Sequence, residues 1–158
     1  MKQQIPTLYE WIGGDEPIQR LVTTFYNLAL KDELLQPFFA RMPRSHIPNV
    51  STWLAEVFGG PKAYSELRGA KTAHPYMIQQ HKDLRITEEQ RKRWVDLMQQ
   101  AADMEKLPDD PEFRSAFMAY IEWGTRMAKL FSNGEPIPDV SAMPRWGWGE
   151  TPPYIAKS

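Results

Sequence analysis

The chain carries three histidines, His46, His74 and His81, and no cysteine. The missing thiols exclude disulfides, thiolate nucleophiles, zinc fingers and iron–sulfur clusters together. A zinc centre needs three or four ligands, and no two of these histidines are spaced as a close ligand pair. No Glu-x-x-His pair is present for a di-iron carboxylate bundle. There is no Gly-rich phosphate loop and no nucleophile elbow. The acidic residues fall on polar helix faces and helix starts, where they read as solvated surface and caps. What remains is chemistry that a single imidazole can support. A lone histidine is more often a surface or satisfied core group than a ligand, and spacing alone leaves both readings open.

Six Trp, six Tyr and seven Phe suit either a core of large side chains or a pocket for a flat ligand. A haem needs only one axial histidine and an apolar slot, which matches few histidines among many aromatics.

The elements that must position these residues are helical. Leu8, Trp11 and Ile12 share one face of a first stretch from Thr7 to Ile12, broken by Gly13-Gly14. Asp15 is the expected N-cap of the next helix, with Pro17 in its first turn. Ile18, Leu21, Val22, Phe25, Leu28 and Ala29 follow helical spacing there, with Tyr26 at the edge of the stripe. Leu34 to Phe39 is a short apolar turn containing Pro37. A helix from near Ser45 carries Val50, Trp53, Leu54, Val57 and Phe58 and stops at Gly59-Gly60-Pro61. From Lys62 to Leu84 the periodicity weakens, and one short helix inside a long loop is expected. Thr87-Glu88-Glu89-Gln90 is a capping box for a helix bearing Trp94, Leu97, Met98 and Ala101. Asp110-Pro111 caps a last helix burying Phe113, Phe117, Tyr120, Ile121, Gly124 and Met127. No segment alternates with period two, so the fold class is all-α.

Length, 158 residues, points to one domain, over residues 1–131. Residues 132–158 form a Pro/Gly/Trp-containing tail that lies on the domain or stays mobile. A net charge of −1 gives no general attraction to nucleic acid or anionic membrane. No apolar run approaches the ~20 residues of a membrane helix, and Met1 to Thr7 lacks a signal core. A cytoplasmic protein, without nucleic-acid or membrane partners, is the expectation.

The ordered set of Leu8-Tyr9, Gly13-Gly14, Phe25-Tyr26, Pro37-Phe38-Phe39, Trp53-Leu54, Gly59-Gly60-Pro61, Tyr64-Ser65, His81, Arg85-Ile86 and Arg93-Trp94 resembles the group II truncated haemoglobins. These are globin-like proteins with a two-over-two helical sandwich around a haem. Trp94, thirteen positions after His81, makes the set specific to that group, and the resemblance runs from about Leu8 to Phe131. Residues Ala70 to Ala73 read as an insertion before the proximal helix, and the tail exceeds that of typical members.

The resemblance implies haem b, with His81 as the proximal iron ligand and its other ring nitrogen donating to a backbone carbonyl or water. It implies that Tyr26 and Trp94 donate to a distal ligand and that Phe39 wedges against the haem face. His46 matches the distal gate, where it would bond ligand, control access or bind iron as a sixth ligand. Pro48 biases Ile47 toward extended backbone, which would turn His46 to solvent; the inward orientation is the one expected. Val50, Trp53 and Leu54 match the distal wall, and Met77, Leu84 and Ile86 are assigned to the proximal wall. Tyr64, His74 and Arg85 are the candidates for the haem propionates.

The implied function is binding of dioxygen, nitric oxide and carbon monoxide, by a monomer or homodimer. Several distal donors suit oxygen chemistry or sensing better than simple transport. Nitric oxide dioxygenation to nitrate would need a separate reductase, because the chain has no flavin or nicotinamide motif. A peroxidase-like activity would use His46 to move a proton. A different class of reading is a non-enzymatic oxygen or nitric oxide sensor, or an interaction module that uses Arg145, Trp146 and Trp148 of the tail. A haem-free helical domain is the remaining alternative.

Overall fold

A computed structural model of the chain describes residues 4–137 and 142–153. The described residues form eight helices and no strand. In chain order these are α1 (Leu8–Ile12), α2 (Asp15–Leu30), α3 (Gln36–Phe39), α4 (His46–Val57), α5 (Ala63–Arg68), α6 (Ala73–Gln79), α7 (Glu88–Met104) and α8 (Pro111–Ser132).

Local chemistry explains most of these boundaries. The Thr7 hydroxyl accepts from the Glu10 N–H at 3.0 Å while the Glu10 carboxylate accepts from the Thr7 N–H, a complete capping box. Thr87 and Gln90 repeat the device at α7. Asp110 accepts from the Phe113 N–H at 2.9 Å, and Pro111 fills the first helical position of α8.

Two expectations need correction. Gly14, not Asp15, is the N-cap of α2, and no side chain caps it. Gly13 and Gly14 have φ of 111° and 96°, so the pair turns the corner in the left-handed region and moves Asp15 into the helix. There the Asp15 carboxylate favours the helix N-terminus through the macrodipole rather than through a cap. The stretch from Lys62 to Leu84 holds two helices, α5 and α6, rather than one. Six and seven residues are too few to print a helical period, and Gly69 at φ 90° separates them.

Helix α2 packs against α4 and α7, and α7 packs in turn against α8. Phe25 is fully buried between Trp94 at 4.5 Å and Tyr26 at 4.9 Å. Burial of such a side chain contributes about 1.5–3 kcal/mol. On the other side, Phe58, Phe113, Phe117 and Tyr120 form a continuous aromatic core. Gly124 and Met127 on α8 are only half-buried. The Tyr9 N–H donates to Phe58 O at 2.9 Å, and the Trp11 indole donates to Asp110 at 3.0 Å, tying α1 to α4 and α8.

Residues 142–153 lie back on this core. The Trp146 N–H donates to Val57 O at 2.8 Å and its indole to Ala116 O at 3.1 Å. The Trp148 indole donates to Pro6 O at 2.8 Å. The rest of the expected tail beyond residue 137, at 138–141 and 154–158, lies outside the described residues. Among the described residues no helix is long and apolar enough to cross a membrane.

Candidate functional site

Helices α2, α3 and α4 bring Tyr26, Phe39 and His46 together. The Tyr26 hydroxyl lies 2.8 Å from His46 Nε2, and its ring meets Phe39 and His46 edge-on at 5.1 and 5.0 Å. Pro48 is the third residue of α4, a first-turn position where its missing N–H costs nothing. Ile47 is therefore helical, and His46 points inward to Tyr26. Burial pushes the Tyr26 hydroxyl far above the ordinary phenol range, so it stays protonated. Burial also lowers the His46 pKa, and the nearby His81, whenever it is protonated, lowers it further. The two imidazoles thus share one electrostatic environment, and His46 is largely neutral at pH 7.

His81 follows α6 by two residues. Its Nδ1 lies 3.0 Å from Met77 O. A carbonyl only accepts, so Nδ1 carries the proton and Nε2 keeps its lone pair. Burial lowers the His81 pKa against the opposing pull of that carbonyl. No protein atom among the described residues bonds to Nε2. A neutral, oriented imidazole with one committed nitrogen and one bare nitrogen is built as a ligand.

Trp94 sits on α7 beside Phe25, half-buried, and its indole N–H has no protein acceptor among the described residues. The adjacent Arg93 donates to Asp32 at 2.6 Å, and Asp32 also accepts from the Leu34 and Leu35 N–H groups. Burial opposes the Asp32 charge, but these donors outweigh it and hold the carboxyl below its usual range. That anchor ties the start of α7 to the corner after α2, next to the turn of α7 that carries Trp94.

The remaining candidates divide. Trp53 and Leu54 are buried on α4, and Val50 and Met77 pack half-buried against the core. The Trp53 indole donates to the Tyr120 hydroxyl at 2.7 Å, so it offers no donor to a ligand. Burial raises the Tyr120 pKa to about 12 despite that bond. Tyr64 is buried with its ring 5.1 Å from Trp53. His74 packs 5.8 Å from Trp53, and its Nδ1 is 3.0 Å from Ala142 O. Leu84, assigned to the proximal wall, is 40% exposed and lies outside the core cluster. Asp83 and Arg85, at φ 64° and 51°, bend the chain there. Arg85 is exposed, and its N–H donates to Ser132 O, while Ile86 N–H donates to the Ser132 hydroxyl. Ile86 is half-buried against the end of α8 rather than in the core cluster.

Two contributors were not legible in the sequence. Glu56 is a buried carboxylate, unlike the surface role expected of the acidic residues. It accepts from the Ser65 N–H at 2.8 Å and from the Ser65 hydroxyl, and so caps α5 from a neighbouring helix. Arg68 stacks over Tyr76 at 4.1 Å, and its Nε is buried with no partner. The four-residue spacing of Tyr64 and Arg68 was the only available signal.

This donor set fits a haem. His81 would hold the iron, and Phe39, Val50 and Leu54 would face the macrocycle. The orphaned Nε marks Arg68 as a partner for a carboxylate at the haem edge, a role a guanidinium serves well. Among the described residues no group of three or more His, Asp or Glu side chains could hold a metal by themselves.

Comparison with known proteins agrees with this geometry. Residues 7–125 match the model of the bacterial-like globin family. The chain is 37% identical over 106 residues to group 2 truncated hemoglobin 3-1 of Lotus japonicus, covering 65% of this chain and 60% of that one. The match thus spans less than two thirds of that relative. The fold is similar to the group II truncated hemoglobin of Bacillus anthracis, with TM-score 0.69 and 26% identity over 80% of this chain and 92% of that one. It is also similar to the truncated oxygen-avid haemoglobin of Bacillus subtilis, with TM-score 0.66 and 28% identity over 78% and 98% of the two chains. With its all-helical fold, the chain belongs to the bacterial-like globin family, among the group II two-on-two haemoglobins, a family whose cofactor is haem.

Proposed function

We propose that the chain holds haem b through His81 and binds dioxygen, nitric oxide and carbon monoxide beside Tyr26, His46 and Trp94. The observation that carries this reading is the contrast between two imidazoles. His81 spends Nδ1 on Met77 O and keeps Nε2 bare, whereas His46 bonds to Tyr26. Haem supplies an iron that takes up a diatomic ligand. His81 Nε2 would hold the iron. Tyr26 O–H and Trp94 N–H would be donors for an electron-rich ligand, and Phe39 would exclude water at the corner. Arg68, with His74, would take the haem carboxylates.

Such donors slow escape of dioxygen, which favours oxygen chemistry over transport. Nitric oxide dioxygenation, with a separate reductase returning the electron, is the reaction we favour. The B. subtilis relative described as oxygen-avid supports tight holding. Peroxide turnover with His46 as proton carrier is the second reaction. The tail-docking alternative is weakened, because Trp146 and Trp148 turn their indoles into the domain.

The test is an absorption spectrum of the haem-loaded protein in ferric, ferrous and carbon monoxide forms, beside His81→Gly. A histidine-ligated spectrum that is lost in the variant is expected. A wild type that takes up no haem would refute the reading.

A further inference from the structure

Residues 142–148 touch the site at two places. At one end Ala142 O accepts from His74 Nδ1 at 3.0 Å. At the other, Trp146 meets Tyr120 edge-on at 5.6 Å and Trp123 at 5.6 Å. Tyr120 accepts from the Trp53 indole, and Trp53 packs against both His74 and Tyr64. The contacts therefore close a ring: strap, Tyr120, Trp53, His74 and strap again. This segment lies beyond residue 125, where the family match ends.

We propose that residues 142–148 are a clamp on the haem-edge cluster and act by holding His74 toward a haem carboxylate. His74 is the second residue of α6, and His81 follows the end of that helix by two residues. Ala142 O can only accept, so it places the proton on Nδ1, and Nε2 has no protein partner among the described residues. An imidazolium there donates from Nδ1 to the strap and from Nε2 to the carboxylate. Burial lowers the His74 pKa and outweighs the carbonyl's opposing pull, so the carboxylate itself must supply the rest of the stabilisation of that charged form. Trp146 is the anchor, because its main-chain N–H and its indole are both bonded to the domain, to Val57 O and Ala116 O. Pro144 stiffens the three-residue link, residues 143–145, between anchor and carbonyl. His74 is a positioning residue for the cofactor and the strap is its support.

The proposal rests on the haem reading above, and its test separates the two. Trp146→Ala removes the anchor, while Pro144→Gly loosens the link without deleting a contact. Each is made in the full chain, alone and with His74→Phe, and helicity is checked by circular dichroism. Haem loss is timed by transfer to excess apomyoglobin, and the His74 tautomer is read from imidazole nitrogen shifts. Each single strap variant is expected to release haem about fivefold faster, the scale of one hydrogen bond to a half-buried group. It also shifts His74 away from the Nδ1–H form. In the His74→Phe background neither strap change adds to the release rate. Equal acceleration with and without His74 would overturn the proposal, as would a folded strap variant with unchanged release and an unchanged tautomer. Should Trp146→Ala fail to fold, Pro144→Gly carries the same test. A wild type that takes up no haem refutes only the cofactor reading, and the clamp then stands or falls on the His74 tautomer in the haem-free chain.

Discussion

Tyr26→Phe removes one hydroxyl and leaves the ring in place, so its effects isolate the 2.8 Å contact with His46 Nε2. The ring contacts with Phe25, Phe39 and His46 are all retained. Loss of the hydrogen bond costs about 1 kcal/mol of stability, because half-buried His46 can turn to water. For a chain of this size that lowers Tm by about 2–4 °C. The ligand side needs a second step. His46 is largely neutral, and with Nε2 bare the Tyr26 O–H donates to it. A ligand that takes the same proton must first break that bond. A donor to a charged partner contributes about 1.5–3 kcal/mol, and about 1 kcal/mol is already engaged by His46. The net is about 0.5–2 kcal/mol, so dioxygen dissociation should accelerate about two- to thirtyfold in Tyr26→Phe. His46→Leu frees the hydroxyl and should change the rate in the opposite direction, toward slower release. Stopped-flow displacement of dioxygen by carbon monoxide measures both variants. Unchanged release in Tyr26→Phe would refute the placement of the hydroxyl against the ligand. Faster release in His46→Leu would refute the competition between the two partners and make His46 a direct donor.

Two further outcomes follow from geometry elsewhere. A Cβ at Gly60 would stand 2.6 Å from Tyr9 Cδ2 and 2.7 Å from the Ala55 carbonyl oxygen. Backbone cannot yield there, so Gly60→Ala should lose about 1–3 kcal/mol in urea unfolding, and wild-type stability would contradict the close approach. Glu88 bonds to Arg91 and Lys129, which hold its carboxyl at about 2 against an ordinary 4.5. Its folded pKa is depressed, so its stabilisation is full above pH 4.5 and is lost as pH falls toward 2. Thermal melts between those limits should fall less steeply for Glu88→Gln than for wild type, and parallel curves would count against the pairing.

What the sequence by itself determined is local. Capping boxes at Thr7 and Thr87, the Asp110-Pro111 start and the glycine pairs marked helix ends, because each uses side chains within three residues of the backbone groups it satisfies. The helical period of Ile18 to Ala29 placed Phe25 on the buried face and Tyr26 at its edge, and both are buried. The scarcity of histidine and the lack of cysteine excluded thiolate and multi-histidine centres, and the family resemblance singled out His81. Short elements escaped, since α5 and α6 are too brief to show a period. The tertiary structure decided which polar atoms remain free. Tyr26 selected the inward His46 that Pro48 left open. Tyr120 took the Trp53 indole from 67 residues away, and Ala142 took the His74 proton from 68 away. Pro6 took the Trp148 indole across 142 residues, turning an expected tail into a strap. Arg68 was left with a buried, unpaired Nε, and Leu84 was left outside. Hydrogen bonds between distant residues depend on where packing brings two helices together, and no local pattern of side chains encodes that distance.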